Sequence, residues 1–247
     1  MDDKHRDCGQ SNTDGLFMKV ENEELVQVIK EKAAEWERRT NLDLEWEQFD
    51  RIYQKDVNSY VIIKNDGSYK AKGSYLKKLS NLDYDLPILN KAVVNYFVHG
   101  TPIVDTILEC DDLREFQKIV KVTGAYDEGA WKDCTFSEKK VQVEGTNRTK
   151  KVTVWNEDGA YLKDKTFRVF ASLRDRDGGI YKKKSNKNPE KFANTPDKCF
   201  INNDNVLEKK VPLYLDKLYY IEAAQERINQ ILGIPKKPKK QVEEVKK

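Results

Sequence analysis

The sequence predicts an α+β fold, and three observations predict it. Tight-turn signals followed by strand-like residues occur near 12–20 and again near 57–70. Apolar residues recur at helical spacing in three separate stretches, 25–36, 86–99 and 216–232. Between them, 151–155 and 166–172 read as short strands. The 247 residues suffice for one large domain or two small ones.

Taken in order, Asn12-Thr13-Asp14-Gly15 is a tight turn, and Leu16 to Val20 alternates as a strand. Leu25, Val28, Ile29, Ala33 and Trp36 follow a helical period, with Asn22 as cap and Glu23 and Glu24 at the positive end. Val57 to Ile63 reads as a strand that Asn65-Asp66-Gly67 turns back towards Ser68-Tyr69-Lys70. A helix is expected over 86–99. Pro87 suits its first turn, Leu89, Val93, Tyr96 and Phe97 share a face, and Gly100 ends it. Shorter helices are expected near 102–109 and 112–121. Residues 174–191 are basic and loop-like. A last helix runs from Asp216 to Leu232, with Ile221, Ala224, Ile228 and Ile231 inward and Gly233 as the stop. The Lys/Pro-rich tail 234–247 lacks the apolar content to fold and is expected to be disordered.

Hydrophobic residues make up 38% of the chain and charged residues 35%, a balance suited to a wet surface around an adequate core. No apolar run approaches the roughly 18 residues that span a bilayer, and a cytoplasmic location is expected. Cys8, Cys110, Cys134 and Cys199 form no CxxC, so free thiols without zinc are expected. With only His5 and His99, chemistry must rest on carboxylates, lysines and aromatics. Residues 1–50 hold seven Lys+Arg against fourteen Asp+Glu, a net of −7; the remainder holds 38 against 28, a net of +10. A basic bulk with an acidic end is compatible with a polyanionic partner.

Gln10-Ser11-Asn12-Thr13-Asp14-Gly15-Leu16-Phe17 resembles motif C of family B DNA polymerases, a palm hairpin whose tip reads Asp-Thr-Asp in most members. Tyr53 to Tyr60, followed by Lys70-Ala71-Lys72-Gly73-Ser74-Tyr75, resembles the Lys/Tyr-rich strand and Lys-x-Lys-Gly turn that follow motif C and contact the primer-terminal duplex. Phe167 to Ser172, Ala193-Asn194-Thr195-Pro196 and Leu215 to Ile221 resemble later thumb segments of phage-encoded members. The resemblance runs over residues 9–233 in the family's order.

The resemblance implies a palm remnant at 1–50 with the motif C-like hairpin and a helix, a basic DNA-contacting hairpin at 51–80, and a mixed helix/strand thumb at 81–233. Asp14 matches the second acid of the motif and is the implied catalytic and metal-binding carboxylate for Mg²⁺. Asn12 stands where the first acid would be and is the weaker implied ligand. Lys55, Tyr60, Lys70, Lys72 and Gly73 are the implied DNA contacts. The lysines would meet phosphates, Tyr60 would pack on sugar, and Gly73 would let backbone approach closely. Residues 51–80 hold seven basic residues against two acidic ones. The implied partners are primer-template DNA, deoxynucleoside triphosphates and a partner chain supplying the N-terminal polymerase part. The exonuclease, the fingers and the motif A aspartate have no counterpart before Asn12, and Lys4 to Gly9 is polar where the family's leading strand is aliphatic. A fragment or a split polymerase, inactive alone, is therefore expected. The alternative is a non-catalytic DNA-binding accessory or polymerase remnant.

Overall fold

The computed structural model describes residues 8–11, 15–73, 85–131, 136–155, 164–184, 189–204, 206 and 209–235. The chain is mixed helix and strand, with small antiparallel sheets, as an α+β fold requires. It divides into two compact units: Met1–Ile52 with Ile62–Ser68, and Tyr53–Val61 with Tyr69–Lys247. The tail 236–247 and the turn Asn12–Asp14 lie outside the described residues.

In the first unit, β1 (Cys8–Ser11) pairs antiparallel with β2 (Leu16–Met18). Cys8 and Gly9, expected to make a poor core strand, sit in a two-stranded ribbon and not in a core sheet. Helix α1 (Glu23–Thr40) follows. The Asn22 side chain accepts a hydrogen bond from Leu25 N–H at 2.9 Å, which satisfies one of the free amides of the first turn. Glu23 and Glu24 lie at the positive end of α1, and Arg38 and Arg39 at the negative end. None of its residues is buried; Val28 and Trp36, expected to face a core, are exposed. Phe17 and Phe49 meet edge to face, with centroids 6.0 Å apart.

Three strands, β3 (Arg51–Asp56), β4 (Ser59–Ile63) and β5 (Tyr69–Lys72), form a sheet in that order. The strand expected over 57–63 begins only at Ser59, because Val57 and Asn58 form the turn from β3. Asp56 fixes that turn by accepting the Asn58 N–H at 2.9 Å. Val61, Ile62 and Ile63 are buried.

The second unit continues with α2 (Pro87–His99), which has Pro87 in its first turn and Gly100 at φ 68° as its left-handed cap. Leu89, Val93 and Phe97 are buried as expected; Tyr96 is not. After α3 (Ile103–Leu108) the helix expected over 112–121 is only a 3-10 turn, Leu113–Phe116. The rest is strand β6 (Lys118–Lys121), whose β-branched Ile119 and Val120 suit a sheet better than a helix. Then come β7 (Glu128–Trp131), β8 (Phe136–Gln142), β9 (Thr149–Trp155) and β10 (Thr166–Ala171). They are followed by β11 (Ile180–Lys183), β12 (Glu190–Lys191) and β13 (Cys199–Ile201). The sheets run β13-β10-β6, β12-β11-β7 and β8-β9.

The loop expected over 174–191 is corrected by β11 and β12. Ile180 is buried, and Lys182 Nζ lies 4.1 Å from the Tyr126 ring centroid. A basic strand is thus accommodated by laying its ammonium over an aromatic face. Val120, Phe167, Val169, Ile180, Phe192 and Cys199 form one core cluster.

Helix α4 (Lys217–Ile231) closes the unit, with Asp216 accepting from Tyr219 N–H. Its buried residues are Tyr220, Ala224, Ile228 and Ile231, so Tyr220 takes the central place expected of Ile221, which is half-buried. The Tyr220 hydroxyl accepts from Ala171 N–H at 3.0 Å and donates to the Phe116 carbonyl at 2.9 Å. Lys217 Nζ donates to the Leu108 and Cys110 carbonyls at 2.7 and 2.9 Å, and Arg227 donates to Asn90 Oδ1 at 2.8 Å. Cys110 and Cys199 are free thiols, and burial pushes the Cys199 thiol up to about 12. The Cys8 side chain and Cys134 lie outside the described residues.

Candidate nucleic-acid interface

Lys55, Tyr60, Lys70, Lys72 and Gly73 all belong to the second unit, on β3, β4 and the end of β5. The two-residue connection Val57-Asn58 sets Lys55 across from Tyr60. Lys72 Nζ lies 6.0 Å from the centroid of the Tyr60 ring, so Lys72 shares the face of Tyr60. Lys70, two residues earlier on β5, points to the same side. The three lysines are exposed and Tyr60 is half-buried. One sheet face therefore carries three ammonium groups around an aromatic ring. Lys70 and Lys72 stand about 7 Å apart along the strand, close to the axial rise of two nucleotides on one strand of a duplex.

Gly73 has φ +113°, a region that L side chains rarely adopt. A Cβ placed there would lie 2.9 Å from Ser59 Oγ, 3.0 Å from Ser59 Cα and 3.1 Å from the Asn58 carbonyl. The backbone that approaches Gly73 closely is thus the chain's own β3–β4 turn. The residue keeps β5 tight against β4 and thereby holds Lys72 over Tyr60. Nothing in the local sequence around Gly73 signals this cause, and Ser59, which presses against it, carries no signal of its own.

Tyr53, in the same motif, has an anchoring part: its ring packs on Phe97 of α2 with centroids 4.6 Å apart. Lys64, between β4 and β5, pairs with Glu47 at 2.9 Å, which raises its pKa and commits its charge inside the first unit. Asp66 accepts from the Ser68 hydroxyl and amide, which holds its carboxyl below the usual range.

No family model, curated protein or solved structure matches this chain. Among the described residues no group of three His, Cys, Asp or Glu side chains is arranged to hold a metal ion. Asp14 and Asn12 lie outside the described residues. The motif as written offers one carboxylate and one amide, fewer hard oxygen ligands than two Mg²⁺ ions need. The motif therefore does not fit a two-metal site by itself, and no step of nucleotidyl transfer is assigned to it. Among the described residues no helix is long and apolar enough to cross a membrane.

Proposed function

We propose that this chain grips double-stranded DNA through the β3–β5 face, as the end-of-palm and thumb portion of a family B DNA polymerase. The observation that carries the reading is the grouping of the exposed Lys55, Lys70 and Lys72 around the half-buried Tyr60 on one side of the β3–β5 sheet. Lysines on a rigid strand pair neutralise phosphates without reading bases, and an aromatic ring between them offers an apolar surface to sugar. The order of the motif-like segments supports the polymerase assignment, with Asp14 contributing a Mg²⁺ ligand once a partner chain supplies motif A and the fingers. Deoxynucleoside triphosphates would be bound only in that assembly, in the host cytoplasm. The second reading, a non-catalytic DNA-binding accessory, is favoured by Asn12 in place of an acid.

The test is primer-template binding by fluorescence anisotropy across a salt series. Affinity should fall as salt rises, with no sequence preference. K70A/K72A should flatten the salt slope by roughly two units, about one per lost contact. An unchanged slope, or strong sequence preference, refutes the interface. Mg²⁺-dependent primer extension by the chain mixed with a motif A-bearing partner, abolished by Asp14→Ala, separates the polymerase reading from the accessory.

A further inference from the structure

The loop 172–179 joins β10 to β11 and is pinned at both ends. Ser172 N–H donates to the Lys198 carbonyl at 3.0 Å, and Leu173 N–H to the Tyr214 carbonyl at 2.9 Å. At the other end the Gly178 carbonyl accepts from Cys199 N–H at 3.0 Å. Inside the loop Asp177 N–H donates to the Arg174 carbonyl at 3.1 Å, which closes a four-residue turn. The Asp177 side chain is only 2% exposed. It accepts from the Ser172 hydroxyl at 2.6 Å and from Arg174 Nε at 2.8 Å. A buried carboxylate is costly unless it is paired and hydrogen-bonded, so Asp177 ties Arg174 to one place on the loop.

The guanidinium is held from a second direction as well. Its central carbon lies 4.0 Å from the Tyr214 ring centroid and 5.8 Å from that of Phe200, within reach of a cation–π attraction. Those two rings brace each other edge to face at 5.1 Å. The strongest neutralising pair between arginine and a carboxylate uses two parallel N–H groups. Here Nε alone bonds to Asp177, on the same oxygen that takes the Ser172 hydroxyl. Among the described residues neither Nη group of Arg174 donates to a protein acceptor, which leaves four of the five guanidinium N–H donors. The side chain is 25% exposed. Asp175 pairs with Lys198 at 2.7 Å, so both carboxylates of the loop are matched and the exposed Arg176 adds positive charge. We propose that Arg174 is a preoriented phosphate-binding residue, whose Nη groups take a backbone phosphodiester of a nucleic acid while Asp177 and Tyr214 hold the guanidinium in place. A side chain already held loses less freedom on binding than a free surface lysine. The choice of a nucleic-acid phosphate rests on the reading given above; the orientation of the guanidinium does not.

The experiment measures primer-template binding by the full chain carrying R174A or K70A/K72A, by anisotropy across a salt series. R174A should weaken binding about tenfold at low salt and lower the salt slope by roughly one unit. A footprint on the unsubstituted chain needs no variant to fold. Phenylglyoxal, which reacts with accessible guanidinium groups, should modify Arg174 in the free protein, and the duplex should protect it, as read by peptide mass spectrometry. Inorganic phosphate at the same phosphate concentration should not protect it; equal protection would assign the site to free phosphate and overturn the phosphodiester. An unreactive Arg174 in the free protein, or one that the duplex leaves unprotected, also overturns the proposal. If Arg174 is protected and K70A/K72A binds as wild type, the Arg174 site stands and the β3–β5 interface falls. If K70A/K72A weakens binding while Arg174 stays unprotected, the interface stands and the Arg174 site falls. If neither responds, both fall.

Discussion

Replacing Tyr220 by Phe removes one oxygen atom and leaves the ring in place. The residue is 1% exposed, and its ring meets Phe116 edge to face with centroids 5.0 Å apart. The lost hydroxyl holds two main-chain groups at once, the Ala171 N–H and the Phe116 carbonyl, at 3.0 and 2.9 Å. A typical hydrogen bond contributes about 1 kcal/mol net, and a buried group left without its partner costs about 1–3 kcal/mol. The substitution should therefore destabilise the chain by about 2–3 kcal/mol. For a chain of this length that is a fall in Tm of about 4–12 °C. Urea unfolding followed by far-UV circular dichroism reads the change. The control is Tyr219→Phe, whose hydroxyl donates at 3.4 Å to the carbonyl of the exposed Asn194. It should cost less than about 0.5 kcal/mol, because water replaces the lost partner. Equal effects of the two substitutions, or Tyr220→Phe within about 0.5 kcal/mol of wild type, would refute the bridging argument.

Two other substitutions probe the same unit. Gly129→Ala should destabilise by about 1–3 kcal/mol through overpacking, since the new Cβ would lie 2.5 Å from Phe167 Cε2 and 3.0 Å from Val122 Cγ2; thermal melting at neutral pH measures it, and an unchanged Tm refutes the packing. Cys199 has its thiol raised from 9.0 to about 12 by burial, so its contribution to stability is complete below pH 9 and is lost as pH rises from 9 towards 12. Cys199→Ser does not titrate there and should lose about 1 kcal/mol less than wild type between pH 8 and pH 10; parallel losses in urea midpoints would sink the assignment.

The helices were legible because their signals are local. Asn22 before α1, Pro87 and Gly100 around α2, and Asp216 before α4 each do what their side chains or backbone freedom dictate. The misreadings fall where a distant partner decides. Lys118–Lys121 is a strand because Thr166–Val169 lies beside it, and no local pattern contains that partner. Ile180–Lys183 looked like a basic loop because its lysines conceal a buried Ile180 and an aromatic support at Tyr126. Tyr220 outranks Ile221 because two main-chain groups far away in sequence need its hydroxyl. At the interface, the residue types of Lys55, Tyr60, Lys70 and Lys72 were readable, and their common face follows from strand alternation and a short turn. The reason for Gly73 was not, since it lies in the shape of the β3–β4 turn.

Helix α4 reaches back to Leu108, Cys110, Phe116, Ala171 and Asn90, the last across 137 positions of chain. These contacts govern the order in which the protein is built. During synthesis α2, α3 and β10 emerge well before α4, at roughly 5–20 residues per second. For that interval their apolar faces lack the cover that α4 provides, and the Ala171 amide and the Phe116 carbonyl wait for a hydroxyl still to be made. Such distant closures are slow because the loop entropy is spent before the contact forms. Within the second unit these hydrogen bonds can close only once α4 has been made and docked.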